Sequence, residues 1–164
     1  MVDQFALDLG GLHGPRHWAR VWDNGVQLAQ RTGARRGVVE LFALFHDSRR
    51  LNEGTDPGHG LRGAELARRL LGLEFTLSHS DMDLLVRACS QHTGGLLEGD
   101  VTLRTCWDAD RLDLGRVGIS PDRRYLCTSA AKAQAFFSAA SERGWRQERA
   151  AAPWLDWVRR RSGY

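Results

Sequence analysis

Residues 37–50 read GVVELFALFHDSRR. Val38, Val39, Leu41, Phe42, Ala43, Leu44 and Phe45 place apolar groups on all sides of a helix over residues 37–50. A helix patterned in this way belongs at the centre of a molecule rather than on its surface. His46 and Asp47 stand at the end of the apolar run. Ionisable groups on a buried helix need a partner, because burial without one costs several kcal/mol. A metal cation is one such partner, since imidazole and carboxylate ligate zinc, iron and manganese. A His–Asp pair hydrogen-bonded within the core is the other.

Punctuation on both sides of this segment predicts further helices and no strand. Residues 3–8 suggest a short helical turn, after which Gly10 and Gly11 break the chain. Pro15 suits the first position of a helix over residues 15–31, which ends before Thr32 and Gly33. Asp56 and Pro57 predict a cap and first residue for a helix over 57–71. Ser80 can cap a helix that runs to Gln91 or His92, where Gly94 and Gly95 end it. Residues 101–115 and the alanine-rich residues 129–143 predict two more, separated by a turn at Pro121 and Asp122. A last helix over 147–161 carries Trp154, Leu155 and Val158 on one face. The expectation is an all-α bundle of six or seven helices, with residues 1–164 forming one domain.

Composition agrees with that class. The chain has 164 residues, 42% hydrophobic and 26% charged, as in an ordinary globular domain. No apolar run approaches the roughly 20 residues of a membrane span. The first residues have no basic segment followed by an apolar core, so the expected location is cytoplasmic. Cys89, Cys106 and Cys127 are widely spaced and odd in number, which fits a reducing compartment and buried thiols. The net charge of +3 comes almost wholly from arginine, Lys132 being the only lysine. The basic residues are scattered, apart from Arg159, Arg160 and Arg161, which suit a solvated helix terminus. The balance suits a small anionic substrate and does not suggest a nucleic-acid polymer or a membrane as partner. Trp145, Trp154 and Trp157 can serve core packing or a homodimer surface.

Three more histidines fall near helix ends. His17 follows Pro15 by two residues, as His59 follows Pro57. His59 heads the stripe Gly63, Leu66, Leu70, at spacings of four, three and four, so it faces the core. His92 ends the stripe Met82, Leu85, Cys89 and also faces inward. The segment CWDADRLDLG supplies acids. Leu103, Trp107, Asp110 and Leu114 form one helical stripe, which places Asp110 among apolar neighbours and Asp108 on a wetter side near Arg111. Asp110 alone would equally fit a structural salt bridge. Asp113 is a candidate supporting partner or arginine acceptor. His13 reads as a loop residue near the site rather than a ligand, and His79 as exposed.

The order of these residues resembles the HD-domain superfamily. Its pattern of a histidine in an HxxRV context, a His-Asp pair and an aspartate in an ADRL helix is matched by His17-Trp18-Ala19-Arg20-Val21, by His46-Asp47 and by Ala109-Asp110-Arg111-Leu112. HGLRGAELARRL from His59 and RACSQHTGG with His92 look like the third- and fourth-histidine helices of its two-metal members. The resemblance covers about residues 11–118, leaving 119–164 as additional C-terminal helices. It implies an HD-type bundle around a central metal site. It assigns His17, His46, Asp47 and Asp110 to a first divalent ion, and His59, His92 and a bridging Asp47 to a second. The ion or ions can be Mn, Fe, Co, Zn, Ni or Mg, since the donor set does not separate them.

The activity implied is metal-dependent hydrolysis of a nucleotide or other small phosphate ester, with His46 and Asp47 as catalytic groups and water activated by the metal. Arg50 and Asn52, in the loop after the pair, are candidate phosphate contacts, as is Arg20; a solvated loop and a structural ion pair are the alternatives. Some members of the superfamily, related to inositol oxygenase, use the same six ligands for diiron oxygen chemistry. A non-catalytic metal-stabilised module is a third possibility. Alarmone hydrolases usually carry an acidic pair after the His-Asp, where this chain has Ser48-Arg49-Arg50. Cyclic-dinucleotide phosphodiesterases carry Gly-Tyr-Pro where it has Thr93-Gly94-Gly95.

Overall fold

The computed structural model describes residues 5–156 and 158. Among them lie seven α-helices and no strand: α1 (Pro15–Thr32), α2 (Arg36–Phe45), α3 (His59–Leu70), α4 (His79–Gln91), α5 (Val101–Arg111), α6 (Ser129–Lys132) and α7 (Gln134–Arg146). Two 3₁₀ turns, Leu114–Val117 and Arg123–Tyr125, fall between α5 and α6. The all-α expectation therefore holds. No described helix is long and apolar enough to cross a membrane.

Local chemistry explains most boundaries. Pro15 opens α1, and Gly33, at φ 75°, closes it by donating its N–H to Ala29 O. Helix α2 packs between α1, α4 and α5 with Val38, Val39, Phe42, Ala43 and Phe45 buried. It stops at Phe45, five residues short of expectation. Ser48 donates both its hydroxyl and its N–H to Phe45 O, which turns the chain off the helix axis immediately beyond His46 and Asp47. Ser78, not Ser80, caps α4 by accepting from Asp81 N at 3.1 Å. Helix α3 starts at His59; Asp56 accepts from Leu51 N and from Arg62 instead of capping it. Helix α5 ends at Arg111 rather than Gly115, and the chain continues as a 3₁₀ turn to Gly118, at φ 78°.

Two glycines bring α3 into place. A Cβ at Gly63 would collide with Phe45 O, and one at Gly60 with Cys89 O. The backbone of α3 thus lies against the end of α2 on one side and α4 on the other, which delivers His59 beside Asp47 and His92. Trp18, Trp107, Phe42, Leu28, Leu85 and Leu103 fill the core, and Trp107 Nε1 donates to Ala88 O at 3.2 Å.

The C-terminal third departs most from expectation. The predicted helix over 129–143 is broken at Ala133 (ψ 129°) into α6 and α7, and α7 runs on to Arg146. Asp108 fixes the start of α6, while Phe136 is buried against the core, so the chain bends between the two anchors. Gln147 closes α7 in the left-handed region at φ 48°, so the predicted last helix does not begin there. Leu155, Asp156 and Val158 are helical; the rest of the 147–161 prediction, with Trp157 and Arg159 to Arg161, lies outside the described residues. So does the start of the 3–8 turn, and residues 5–8 are not helical. Trp145 is exposed, whereas Trp154 packs on Ala19, Ala152 and Leu155.

Candidate metal centre

Four helix ends converge on Asp47. His17 comes from the first turn of α1, His46 and Asp47 from the residues just past α2, His59 from the first residue of α3, and His92 from the residue after α4. All five are buried. Two triads form, His17–His46–Asp47 and Asp47–His59–His92, each with ligand-type atoms within 4.8 Å of one another. Asp47 divides its oxygens between them. Oδ2 lies 3.4 Å from His17 Nε2 and 3.7 Å from His46 Nε2. Oδ1 lies 3.0 Å from His59 Nε2 and 3.7 Å from His92 Nε2. Asp110, at the end of α5, adds Oδ1 at 3.5 Å from His17 Nε2 and 3.8 Å from His46 Nε2.

The hydrogen bonds behind the imidazoles decide what their inner nitrogens can do. His17 Nδ1 faces Asp113 Oδ2 at 2.7 Å, His46 Nδ1 faces Phe42 O at 3.0 Å, and His92 Nδ1 faces Cys89 O at 2.6 Å. His59 Nδ1 faces Asp56 O. All four partners are acceptors, so in each neutral ring Nδ1 carries the proton and Nε2 carries a lone pair. Those lone pairs face each other: His17 Nε2 and His46 Nε2 are 3.0 Å apart, as are His59 Nε2 and His92 Nε2. Two lone pairs at that distance repel unless a proton or a metal cation lies between them. Asp47 Oδ1 and Asp110 Oδ1 are buried with no hydrogen-bond partner among the described residues, which repeats the demand. The residues therefore fit a divalent ion in each triad.

Burial and charge tune the groups accordingly. Burial pushes the His46 imidazole down to about 3, which keeps it neutral. Burial alone would raise the Asp47 carboxyl, but the histidines around it, His46 foremost, hold it well below the usual range. Asp110 is likewise held at about 2, burial being overridden by Arg116 and the histidines. Asp113 is lowered against its own burial by His17 and Arg20.

The other residues singled out in the sequence take varied places. Arg20 donates from Nε and Nη2 to Asp113 at 2.6 and 3.0 Å, so its guanidinium is committed there. Asp113 thus serves His17 and Arg20, not Asp110. Arg50 Nη1 is 3.6 Å from Asp47 Oδ1, and its Nη2 donates to Gly54 O. The Asn52 side chain is exposed. His13 is buried and pairs with Glu53 rather than with a member of the cluster. His79 is exposed at a surface pair with Asp83. One expectation is reversed: Asp108 is fully buried and accepts from Cys127 N, Thr128 N and Thr128 Oγ1, whereas the Asp110 side chain keeps 13% exposure. The helical stripe faces Asp110 to the cluster, and the other side of α5 is covered by the segment before α6.

Sequence reasoning missed Arg116. It lies on the 3₁₀ turn after α5, buried, with Nη2 3.7 Å from Asp47 Oδ2 and 3.6 Å from Asp110 Oδ1 and with Nε lacking a partner among the described residues. Its one signal was an arginine six residues beyond the predicted ligand. A cavity of about 530 Å³ is lined by His92 and by Asp110, whose Oδ1 Arg116 approaches from outside that lining.

The chain matches no family model, no curated protein and no solved structure.

Proposed function

We propose that this chain is a metal-dependent phosphohydrolase of the HD type, acting on a small phosphate ester. The observation that carries the proposal is the position of Arg116. A buried guanidinium stands within 3.7 Å of two carboxylates of the cluster, and one of these, Asp110, also lines an open cavity. A purely structural metal site is closed by its protein ligands; an added cation and an open cavity are what an anionic substrate needs.

Bound divalent ions would lower the pKa of a coordinated water toward neutrality and polarise a phosphoryl oxygen. The chain's own groups do the rest. His17, His46, His59 and His92 present fixed Nε2 lone pairs, because their Nδ1 protons are engaged behind them. Asp47, ionised between the two triads, spans both and orients the attacking water, with His46 held neutral beside it. Asp110 adds a fourth donor beside the first triad. Arg116 reaches the non-bridging oxygens of the phosphoryl group and offsets the charge that grows there in the transition state. Arg50, close to Asp47 and His59, adds positive potential on the second triad's side. The one lysine, Lys132, lies on α6, and Cys89 and Cys106 are buried thiols that burial pushes upward, so neither residue type offers a nucleophile here.

The test loads the apoprotein with manganese, cobalt or iron under nitrogen and follows phosphate release across nucleotides, sugar phosphates and aryl phosphates. Oxygen-independent release is expected, with Arg116→Ala lowering kcat/KM about 100-fold while metal content stays the same. No release with any metal, together with substrate-dependent oxygen uptake by the iron form, would replace hydrolysis by the diiron oxygenase reading.

A further inference from the structure

If the metal cluster binds an anion, as proposed, the cavity beside it has a composition that narrows the substrate. Its floor is His92 and Asp110; its walls are formed by Thr93, Leu114, Ile119, Ser120, Tyr125 and Leu126. A volume of about 530 Å³ lies within the roughly 300–1,000 Å³ of small-molecule sites. Ile119 and Tyr125, both lining the cavity, are 54% and 60% exposed and so open to a ligand.

The charged groups along the walls are already hydrogen-bonded within the protein. Among the described lining residues the only guanidinium is that of Arg111, and it is held by Tyr125 O at 2.7 Å, Leu96 O at 2.8 Å and Cys127 Sγ at 3.3 Å. The one acid beyond the cluster, Asp122, accepts three hydrogen bonds from Arg124. A second phosphate placed in this cavity would meet, among the described lining residues, one guanidinium already donating to Tyr125 O and Leu96 O, and two carboxylates, Asp110 and Asp122. A flat apolar group would meet Leu114, Ile119, Tyr125 and Leu126.

We infer that the site takes a substrate with a single phosphoryl-type anion on the metal pair and a flat apolar or aromatic body in the cavity, and that it rejects polyphosphates. Specificity for the body then lies with Ile119 and Tyr125, outside the cluster and outside the segment that resembles the HD pattern.

The experiment measures binding, so it does not depend on turnover. The manganese-loaded protein is titrated calorimetrically with methylphosphonate, phenylphosphonate and pyrophosphate. Phenylphosphonate is expected to bind about tenfold or more tightly than methylphosphonate, as burial of one face of a ring implies, and pyrophosphate no better than methylphosphonate. The double variant Ile119→Ala/Tyr125→Ala should bring the phenyl-to-methyl ratio towards one and leave methylphosphonate affinity and manganese content unchanged. Both positions are exposed, and circular dichroism melting verifies that the variant is folded. Equal affinity for the two phosphonates, a ratio unmoved in the double variant, or preference for pyrophosphate overturns the cavity inference alone. Failure of methylphosphonate itself to bind the manganese-loaded protein overturns the anion-site reading and this inference with it.

Discussion

Asp113 Oδ2 lies 2.7 Å from His17 Nδ1, and the same carboxylate takes two hydrogen bonds from Arg20. The carboxylate acts through His17: it holds the proton on Nδ1 and turns the Nε2 lone pair toward His46 and Asp47. Supporting groups of this kind are worth about 10- to 100-fold in metal affinity. Asp113→Asn is expected to weaken the binding of the first ion by that factor while the protein stays folded. Competition with a fluorescent chelator checks it; unchanged affinity would show that His17 is oriented without Asp113.

Two triads sharing Asp47 predict two ions per chain. His59→Ala/His92→Ala removes both nitrogens of the second triad and leaves His17, His46 and Asp110 in place. Metal analysis of that variant should give one ion where the parent gives two, with the helical circular dichroism retained. Equal metal content in variant and parent would rule out the second triad as a site.

Asp108 and Asp110 are neighbours but are held for different reasons. Asp110→Ala should strip tight metal binding, because its unpartnered Oδ1 faces the first triad. Asp108→Ala should leave metal content per folded chain intact and cost about 3 kcal/mol in stability, since Cys127 N, Thr128 N and Thr128 Oγ1 lose their acceptor in the interior. Chemical denaturation beside metal analysis separates the two effects. Loss of metal in the Asp108 variant would mean that α5 is rotated relative to this structure.

Acid should destabilise the apoprotein through His46 before the carboxylates titrate. Its folded value is pushed from 6.5 to about 3 by burial, so between those pH values the unfolded chain binds a proton that the folded chain refuses. Stability therefore rises with pH across that window and falls as pH drops from 6.5 toward 3, by a total on the order of 5 kcal/mol. Below it, Asp110, held at about 2, loses its own contribution as it is protonated. Melting temperatures of the chelator-treated protein should decline over pH 6.5 to 3.5, and His46→Gln should flatten the slope. An unchanged slope in that variant would assign the acid sensitivity elsewhere.

Helical period places one set of groups without any knowledge of the packing. An apolar helix ending in His46 and Asp47, the stripes that turn His59 and His92 inward, and the stripe that selects Asp110 over Asp108 all depend on residues three or four apart on one helix, where 3.6 residues per turn fixes direction. The all-α class comes from the same periodicity and from proline and glycine at the expected ends. The helix ends themselves were legible in some cases and not in others, because Ser48 and Asp56 bond to groups whose positions depend on the turn itself.

Contacts between segments set the remainder. The partnership of Asp113 with His17 joins positions 96 residues apart, and no local pattern encodes such a pair. Asp108 is buried by two backbone N–H groups and the Thr128 hydroxyl of a segment 19 and 20 residues away, a pairing that no local pattern encodes. Arg116 and the cavity walls sit on short 3₁₀ turns and connecting loops after α5, where no regular period relates sequence spacing to direction. The break at Ala133 interrupts a run with no helix-breaking residue, because anchorage at Asp108 on one side and burial of Phe136 on the other outweigh the helix propensity of alanine. The cluster was therefore legible in the sequence, while the groups that support it and the cavity that would select its substrate depend on contacts made only when the helices pack.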